Sequence, residues 1–414
     1  MATIDIRPLR RHRDFRVLFI GRLVSFFGSM ITVVAVPYQV YQLSHSVLLV
    51  GSLGLVELAA LVGFAMLGGA LADAADRRVM VLMSEVGLMV GSLVLAGNSR
   101  LPHPLLWLIF AIAALQGSFD ALQRPSLDAL LPRLVDRDEL SAAGALGQLR
   151  GTLGMIAGPA LAGVLVAVAG LPITYLVDVA TFVVGLVCLL LMKAVPPPVD
   201  AERPSFRRVL EGLRYARSRP ELIGTYLVDI VAMLFGMPMA LFPAIAQGLG
   251  GPKVLGLLYA APAVGSFCFA ATSGWTNRVH RHGMGVIVAA TLWGFAIIGF
   301  GLVPGLVAAL VFLALAGAAD AMSGVFRSVL WNQTIPDSLR GRLASIELLS
   351  YSVGPTLGNF EAGVVASIFS VRVSVVSGGV LCVIGCVLCG LALPAFRKYD
   401  ARKWRAGAPP HPST

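Results

Sequence analysis

The feature that most limits the possible folds is a succession of long apolar runs separated by short polar breaks. Each run is about as long as a helix must be to cross the hydrocarbon core of a bilayer, roughly 20 residues. We count twelve of them in the chain of 414 residues. They cover residues 16–42, 47–72, 79–98, 104–131, 140–168, 172–193, 220–246, 254–275, 284–302, 304–331, 342–368 and 371–394.

Composition excludes an ordinary soluble domain. Hydrophobic residues make up 57% of the chain and charged residues only 13%, whereas soluble domains carry about 25% charged residues. The mean hydropathy of +0.83 agrees with this. We therefore predict an all-α membrane protein with twelve transmembrane helices.

One long polar break divides these runs into six and six. It begins near Pro196-Pro197-Pro198 and is rich in arginine. We expect two pseudo-symmetric six-helix bundles joined by a cytoplasmic linker. The predicted parts are an N-terminal bundle at 1–193, the linker at 194–219, a C-terminal bundle at 220–396 and a cytoplasmic tail at 397–414.

An internal repeat supports the division into related halves. The segment Ala-Leu-Gln-Gly-Ser-Phe-Asp-Ala at 114–121 returns, with three changes, as Ala-Leu-Ala-Gly-Ala-Ala-Asp-Ala at 314–321. The repeat keeps Asp120 and Asp320 inside otherwise apolar runs. Paired halves in membrane proteins usually enclose a central binding site and alternate its exposure.

The net charge of +10 is distributed by side rather than gathered into a patch. If the spans alternate from a cytoplasmic N-terminus, the opposite loops hold only Arg100, Lys253 and Arg372 as basic residues. This asymmetry is the positive-inside rule, and it predicts that both termini are cytoplasmic. We do not expect nucleic acid as a partner.

The remaining residue types argue against catalysis. All five cysteines fall within spans without metal-ligand spacing, and all six histidines lie in predicted loops or tails. No nucleotide-binding Walker motif is present in the sequence. We expect no enzyme activity, no cofactor and no metal site.

A charged turn follows the second span. Gly69, Asp73, Arg77 and Arg78 can form a charge latch, because Asp73 can meet a helix N-terminus or a basic partner on another element. The second half carries Asn277 at the corresponding place. The alternative is ordinary positive-inside charge, which explains the arginines alone.

The fifth span contains glycines four and five residues apart. Gly154, Gly158 and Gly163 predict a flat face for close helix packing. Pro159 removes a backbone hydrogen bond, so we expect a kink there. The second half has Gly354-Pro355 and Gly358, and duplication alone could explain part of the motif.

Charges within the spans are candidates for function, because inserting each costs about 3 kcal/mol. Glu57 and Asp229 are deep and have no partner on their own helix, which favours proton coupling or substrate binding. Arg22, Arg150 and Asp178 are further candidates for these roles. We expect Asp178 near the outer mouth of the cavity.

Other intramembrane charges favour a gate. Asp120, Arg124 and Asp128 share one face of the fourth span, and Asp320 and Arg327 share a face of the tenth. Ordinary intra-bundle salt bridges are an equal alternative for these groups. Glu85, near the start of the third span, is expected to pair with a cytoplasmic arginine.

These motifs resemble those of the major facilitator superfamily. The turn at 69–78 resembles its signature G-x-L-A-D-R-x-G-R-R, with Ala74 and Asp76 as departures, and the fifth span resembles its antiporter signature, with Ala162 replacing a glycine. Within the superfamily the chain is most similar to the enterobactin-exporter branch. That likeness rests on Phe15-Arg16, Arg22, Ser25, 35–40, Ser44-His45-Ser46, Val50-Gly51, 68–73, Arg150, Pro336-Asp337 and Gly341-Arg342.

The resemblance implies export of a catecholate siderophore or of amphipathic drugs, and hence a role in siderophore export or multidrug resistance. One departure is that the usual arginine early in the fourth span is missing, with Ile112 and Ala113 in that region. If that arginine serves proton coupling, Arg124 or Arg150 would have to replace it.

Together these patterns predict a proton-coupled secondary exporter of small amphipathic molecules that works by alternating access. The expected location is the bacterial inner membrane, and the expected partners are lipid, a small-molecule substrate and protons, with the protein a monomer. The alternatives are a proton-coupled importer of a small nutrient and a non-transporting membrane scaffold.

Overall fold

The computed structural model describes residues 5–74, 77–193, 214–215 and 217–402. Within these ranges it describes no side chains at 65–77, 124–125, 128–129, 132 and 337–351. The regular structure of the described residues is helical throughout.

Fourteen α-helices follow one another along this part of the chain. They are α1 Arg7–Arg11, α2 Arg13–Ser44, α3 Val47–Ala74, α4 Arg77–Asn98, α5 Leu106–Leu134, α6 Leu140–Leu191, α7 Pro220–Phe235, α8 Phe242–Leu249, α9 Pro252–Thr272, α10 His282–Leu302, α11 Leu306–Thr334, α12 Asp337–Ile368, α13 Val371–Ala392 and α14 Pro394–Arg397. Short 3₁₀ turns lie at Arg137–Glu139, Met239–Leu241 and Ser273–Arg278.

Helix α6 holds two predicted spans in a single helical segment. It is 52 residues long, and the non-helical backbone inside it lies at Gly170, with φ 77° and ψ 171°. Glycine suits this position because a side chain disfavours positive φ. The predicted spans 140–168 and 172–193 therefore meet at Gly170. The dihedral angles at Pro159 are helical, and the kink expected there stays a prediction.

Ten helical segments among the described residues are long and apolar enough to cross a membrane. One of the ten, Arg137–Leu191, contains the break at Gly170, and α12 lies partly outside the described side chains. An all-helical, multi-pass membrane protein is thus confirmed. The count of twelve and the arrangement in two bundles stay predictions.

Large apolar side chains are exposed along these helices. The exposed fraction is 75% for Val168, 76% for Val307 and 67% for Ile368. A soluble monomer rarely exposes a large continuous apolar surface, whereas a membrane protein presents such side chains to the lipid tails. The surface of the helices thus agrees with a bilayer as the solvent.

Contacts group the described residues into two compact units. Unit 1 lies within residues 1–204 and 242–260, and unit 2 lies within 205–241 and 261–414. The predicted division at 194–219 into two bundles, linker and tail stays a prediction.

In unit 1, α2 packs against both parts of α6. A Cβ added to Gly154 would meet the ring of Phe26, and one added to Gly158 would lie 3.3 Å from Cγ of Met30. The two contacts are four residues apart on both helices, so the first part of α6 runs parallel to α2. Two glycines of the predicted flat face, Gly154 and Gly158, therefore pack on α2, whereas Gly163 packs against Gly256 of α9.

The second part of α6 returns along α2 in the opposite direction. A Cβ at Gly21 would lie 3.4 Å from Sγ of Cys188, and one at Gly185 would lie 3.3 Å from Cβ of Ser25. Tyr175 donates a hydrogen bond of 2.7 Å to Oε1 of Gln39 farther along. Close approach of these helices brings their few polar side chains into contact.

Unit 2 repeats part of this packing. A Cβ at Gly354 of α12 would lie 3.1 Å from Cβ of Met233 in α7, and one at Gly358 would lie 2.9 Å from the carbonyl oxygen of Leu234. Glycines of the eleventh predicted span thus pack on the seventh, as those of the fifth pack on the first. This correspondence supports the duplication read from the sequence.

Candidate functional site

The first charged cluster lies where α2, α4 and α5 meet in unit 1. Nη1 of Arg22 lies 2.5 Å from Oε1 of Glu85 and donates to Oε1 of Gln123 over 3.1 Å. The amide of Gln123 donates in turn to Oε1 of Glu85 over 3.1 Å. The Glu85 side chain is 1% exposed, so the ion pair is held inside the unit by charge-assisted hydrogen bonds.

Arg150 of α6 lies beside this cluster. Its charge and that of Arg22 are near enough to repel each other. Nε of each arginine is buried and has no hydrogen-bond partner. In the described part of the chain no carboxylate pairs with Arg150, and the acid of this cluster, Glu85, pairs with Arg22.

Asp178 forms a second polar layer deeper along α2. Its Oδ2 accepts hydrogen bonds of 2.6 Å from Thr32 and from Ser92, and Thr181 donates to Oδ1 over 3.4 Å. The residue is 1% exposed. Asp178 is thus buried between helices rather than placed at a cavity mouth, because three hydroxyl groups supply the hydrogen bonds that water would otherwise provide.

Glu57 and Asp120 come together where α3 crosses α5. A Cβ at Gly117 would lie 3.1 Å from Cα of Glu57, which shows how closely the backbones approach. The charges of Glu57 and Asp120 are near enough to interact. Arg124 and Asp128, predicted on the same face as Asp120, have side chains outside the described residues.

The charged cluster of unit 2 joins α7 to α11. Arg327 forms an ion pair with Asp229, and its Nη2 lies 3.8 Å from Oδ1 of Asp320. The side chains of Arg327 and Asp229 are 2% and 6% exposed, whereas that of Asp320 is 43% exposed. Asp229 is therefore an acid that pairs with a residue of another helix.

Aromatic side chains surround this ion pair. The guanidinium carbon of Arg327 lies 6.0 Å from the ring centre of Trp331, whose indole N–H donates to Oγ1 of Thr225 over 3.0 Å. Tyr226 stacks on Trp331 with ring centres 5.8 Å apart. The rings hold Arg327 in place and exclude water, which strengthens the ion pair.

The predicted charge latch is described only at Arg78. Its Nε donates to the carbonyl of Leu189 over 2.9 Å and its Nη2 to that of Leu190 over 2.8 Å. Arg78 thus caps the C-terminal end of α6, where a cation also suits the helix dipole. Gly69, Asp73 and Arg77 lie in the stretch whose side chains the structure does not describe.

Two partners were missed from the sequence. Glu85 pairs with Arg22 inside a span rather than with a cytoplasmic arginine, and Asp229 pairs with Arg327. In both pairs the residues lie far apart in the sequence, so helical spacing could not join them. The sequence does contain polar residues at similar positions along different predicted spans, such as Gln123 and Ser92. These residues indicate a polar contact between helices, but they do not show which residues pair.

Fold and buried charges together define a class. The chain is a multi-pass helical membrane protein whose charges are held in polar clusters between helices, as in transporters. A family model described as transmembrane secretion effector matches residues 4–410. The chain belongs to this family of the major facilitator superfamily, which confirms the resemblance read from its motifs.

Curated relatives carry one name over nearly the whole chain. Proteins named enterobactin exporter EntS from Shigella boydii serotype 4 and from Citrobacter koseri are 31% identical over 400 residues, which is 96% of this chain and 95% of each relative. The protein is therefore a transporter of the exporter type and not an enzyme, as predicted.

Solved structures share the fold at low identity. A bacterial homologue of the human lysosomal transporter Spinster, inward-facing and unoccupied, has a TM-score of 0.74 and 15% identity, covering 96% of this chain and 99% of that one. A bacterial homologue of the iron transporter ferroportin, inward-facing, has a TM-score of 0.68 and 18% identity, covering 93% and 98%.

Proposed function

We propose that this protein is a proton-coupled exporter of small amphipathic molecules that works by alternating access in the bacterial inner membrane. Family membership and the name shared by the relatives support export. Enterobactin, named for those relatives, is the first substrate to test. We further propose that both termini are cytoplasmic and that the protein acts as a monomer.

The observation that carries proton coupling is the environment of Glu57. This acid lies in the middle of α3, within a predicted span, and forms no ion pair with the described residues. Among the described residues, the charged group that acts on it is another acid, Asp120. A membrane carboxyl group that no described cation pairs with is most simply neutralised by a proton, which makes Glu57 the proposed carrier.

The other charges divide into proposed roles. Asp229 is held by Arg327, so we assign it with Asp320 and Arg327 to the gate rather than to proton uptake. Asp120 and Arg124 belong to the corresponding gate of unit 1. Gly69, Asp73, Arg77 and Arg78 are the proposed cytoplasmic latch, and Asp178 positions helices through its hydroxyl partners.

Substitution of Glu57 by Gln tests the proposal. Purified wild-type and Glu57→Gln proteins are reconstituted in liposomes, and enterobactin transport is measured with and without an imposed proton gradient. We expect the gradient to drive transport by the wild-type protein only. Exchange of enterobactin across the membrane without a gradient should persist in Glu57→Gln, because that process requires no net proton movement.

Glu361→Gln is the matched control, since Glu361 is a half-buried acid of α12 in unit 2 with no proposed coupling role. It should keep gradient-driven transport. Gradient-driven transport that survives in Glu57→Gln would reject Glu57 as the carrier. Movement of enterobactin in the same direction as the protons would instead support a proton-coupled importer. If the wild-type protein transports nothing, with or without a gradient, the result would support a non-transporting membrane scaffold.

A further inference from the structure

Packing between α2 and the first part of α6 places two arginines side by side. Phe26 contacts Gly154, and Met30 contacts Gly158, so the contact repeats every four residues along parallel helices. One turn earlier on both helices lie Arg22 and Arg150. Their charges are near enough to repel each other, which agrees with this register.

The cluster holds more positive than negative charge. Arg22 shares Glu85 with Gln123, and Glu85 is the one acid that pairs with either arginine among the described residues. Nε of Arg22 and Nε of Arg150 are buried without hydrogen-bond partners. A partly buried cation without an anion is unfavourable, so this arrangement is best satisfied by an anion that arrives with a ligand.

Space for such a ligand lies next to Arg150. A Cβ added to Gly147 or to Gly151 would have no atom within 4 Å. Both glycines lie within one turn of Arg150 on α6. The planar guanidinium group presents paired N–H donors that match the two oxygens of a carboxylate, or the adjacent oxygens of a catechol.

We infer that Arg22 and Arg150 form a binding site for the anionic group, carboxylate or phenolate, of an amphipathic transported molecule. The inference rests on the proposed export function and names its substrate class. Arg150 supplies the free positive charge, while Glu85 and Gln123 hold Arg22 in position. Neutral molecules of the same shape should bind less tightly.

Matched pairs of acids and amides test this inference by equilibrium binding to the purified, delipidated protein in detergent. The pairs are 1-naphthoate and 1-naphthamide, salicylate and salicylamide, and 4-phenylbutyrate and 4-phenylbutyramide. We expect the wild-type protein to bind at least one acid about tenfold more tightly than its amide, as a charge-assisted hydrogen bond of about 1.4 kcal/mol provides.

Arg150→Gln should abolish this preference for the acid, and Arg150→Lys should restore part of it. Arg100→Gln is the matched control, because Arg100 is an exposed arginine outside the spans and should leave the preference unchanged. A preference that persists in Arg150→Gln overturns the inference. The absence of an acid preference in the wild-type protein for all three pairs, including an absence of binding, also overturns it.

A lipid headgroup is the competing source of negative charge. Displacement of the bound acid by phosphatidylglycerol at equal concentration would assign the cluster to lipid and overturn the inference. Binding in detergent needs no proton gradient, so this result is independent of the test of Glu57. An acid preference in Glu57→Gln, together with lost gradient-driven transport, would separate substrate recognition from coupling.

Discussion

The buried charged clusters of the two units differ in the sign of the charge that is in excess. In unit 1, Arg150 lies beside the Arg22–Glu85 pair, whereas in unit 2 Asp229 and Asp320 share Arg327. Among the described residues, one cluster therefore has an excess cation and the other an excess acid. The comparison shows that two halves with a common plan carry different chemistry.

Helix packing, in contrast, is the same in the two units. Gly154 and Gly158 pack on α2, and Gly354 and Gly358 pack on α7. Glycine is required wherever two backbones approach this closely, so duplication preserves it in both halves. A charge can be exchanged more freely, because its partner can come from any helix that passes nearby.

The largest effect is expected from separating the charges of unit 2. Arg327→Met removes the cation that pairs with the buried Asp229 and should lower the free energy of unfolding by about 3–5 kcal/mol. Arg327→Met combined with Asp229→Leu should recover most of that loss, because Asp320, the acid of the cluster that then remains, has a side chain that is 43% exposed. Denaturation of the purified protein in detergent measures both variants.

Arg150→Met is the matched substitution in unit 1. Because Arg150 has no acid of its own among the described residues, its removal should change the stability by less than about 1 kcal/mol. Equal losses in the free energy of unfolding for Arg327→Met and Arg150→Met would contradict the proposed difference in charge balance between the two clusters.

The next effect concerns the shared packing. Gly158→Ala and Gly358→Ala should each destabilise by about 1–3 kcal/mol through overpacking. The loss should be larger for Gly358, whose added Cβ meets the backbone carbonyl oxygens of Met233 and Leu234, than for Gly158, whose added Cβ meets the Met30 side chain. Thermal unfolding of the detergent-purified proteins ranks them.

Gly151→Ala is the control for this packing prediction, because a Cβ there has no atom within 4 Å. Alanine also favours a helix over glycine by up to about 1 kcal/mol, so this variant should be neutral or more stable. A Gly358→Ala protein as stable as Gly151→Ala would contradict the close packing of α12 on α7.

The smallest effect is expected at an exposed ion pair. Hydrogen bonds from the Arg402 side chain and backbone hold the pKa of Asp400 below its ordinary value of 3.8. A lowered pKa means that the pair stabilises the fold above about pH 4 and loses this effect as the pH falls through the lowered pKa. Arg402 is 64% exposed, so the contribution is small.

Asp400→Asn should therefore differ slightly from the wild type in melting temperature, by the same amount at pH 7 and at pH 5. The comparison with Asp229→Asn, which alters the buried pair of unit 2, shows the effect of burial. A difference at Asp400 that vanishes between pH 7 and pH 5 would contradict the lowered pKa.

Much of the candidate site could be predicted where partners share a helix. Asp320 and Arg327 are seven residues apart, which is close to two turns, and the structure brings them within 3.8 Å. The pairs Arg22–Glu85 and Asp229–Arg327 join different helices, and periodicity along one helix carries no information about them. Periodicity also could not show that hydroxyl groups of other helices contact Asp178. The sequence therefore placed Asp178 at a cavity mouth, whereas the structure buries it.

The sequence by itself determined that the chain lies in a lipid bilayer, that it is helical and to which family it belongs. Runs of apolar residues long enough for a bilayer leave the backbone little choice but helix, because its polar groups must be satisfied internally. Only the tertiary structure decided which charged side chains pair with each other. It therefore also decided which cluster has an excess cation among the described residues. That choice depends on the register between helices, which contacts such as Phe26–Gly154 set across long distances in the chain.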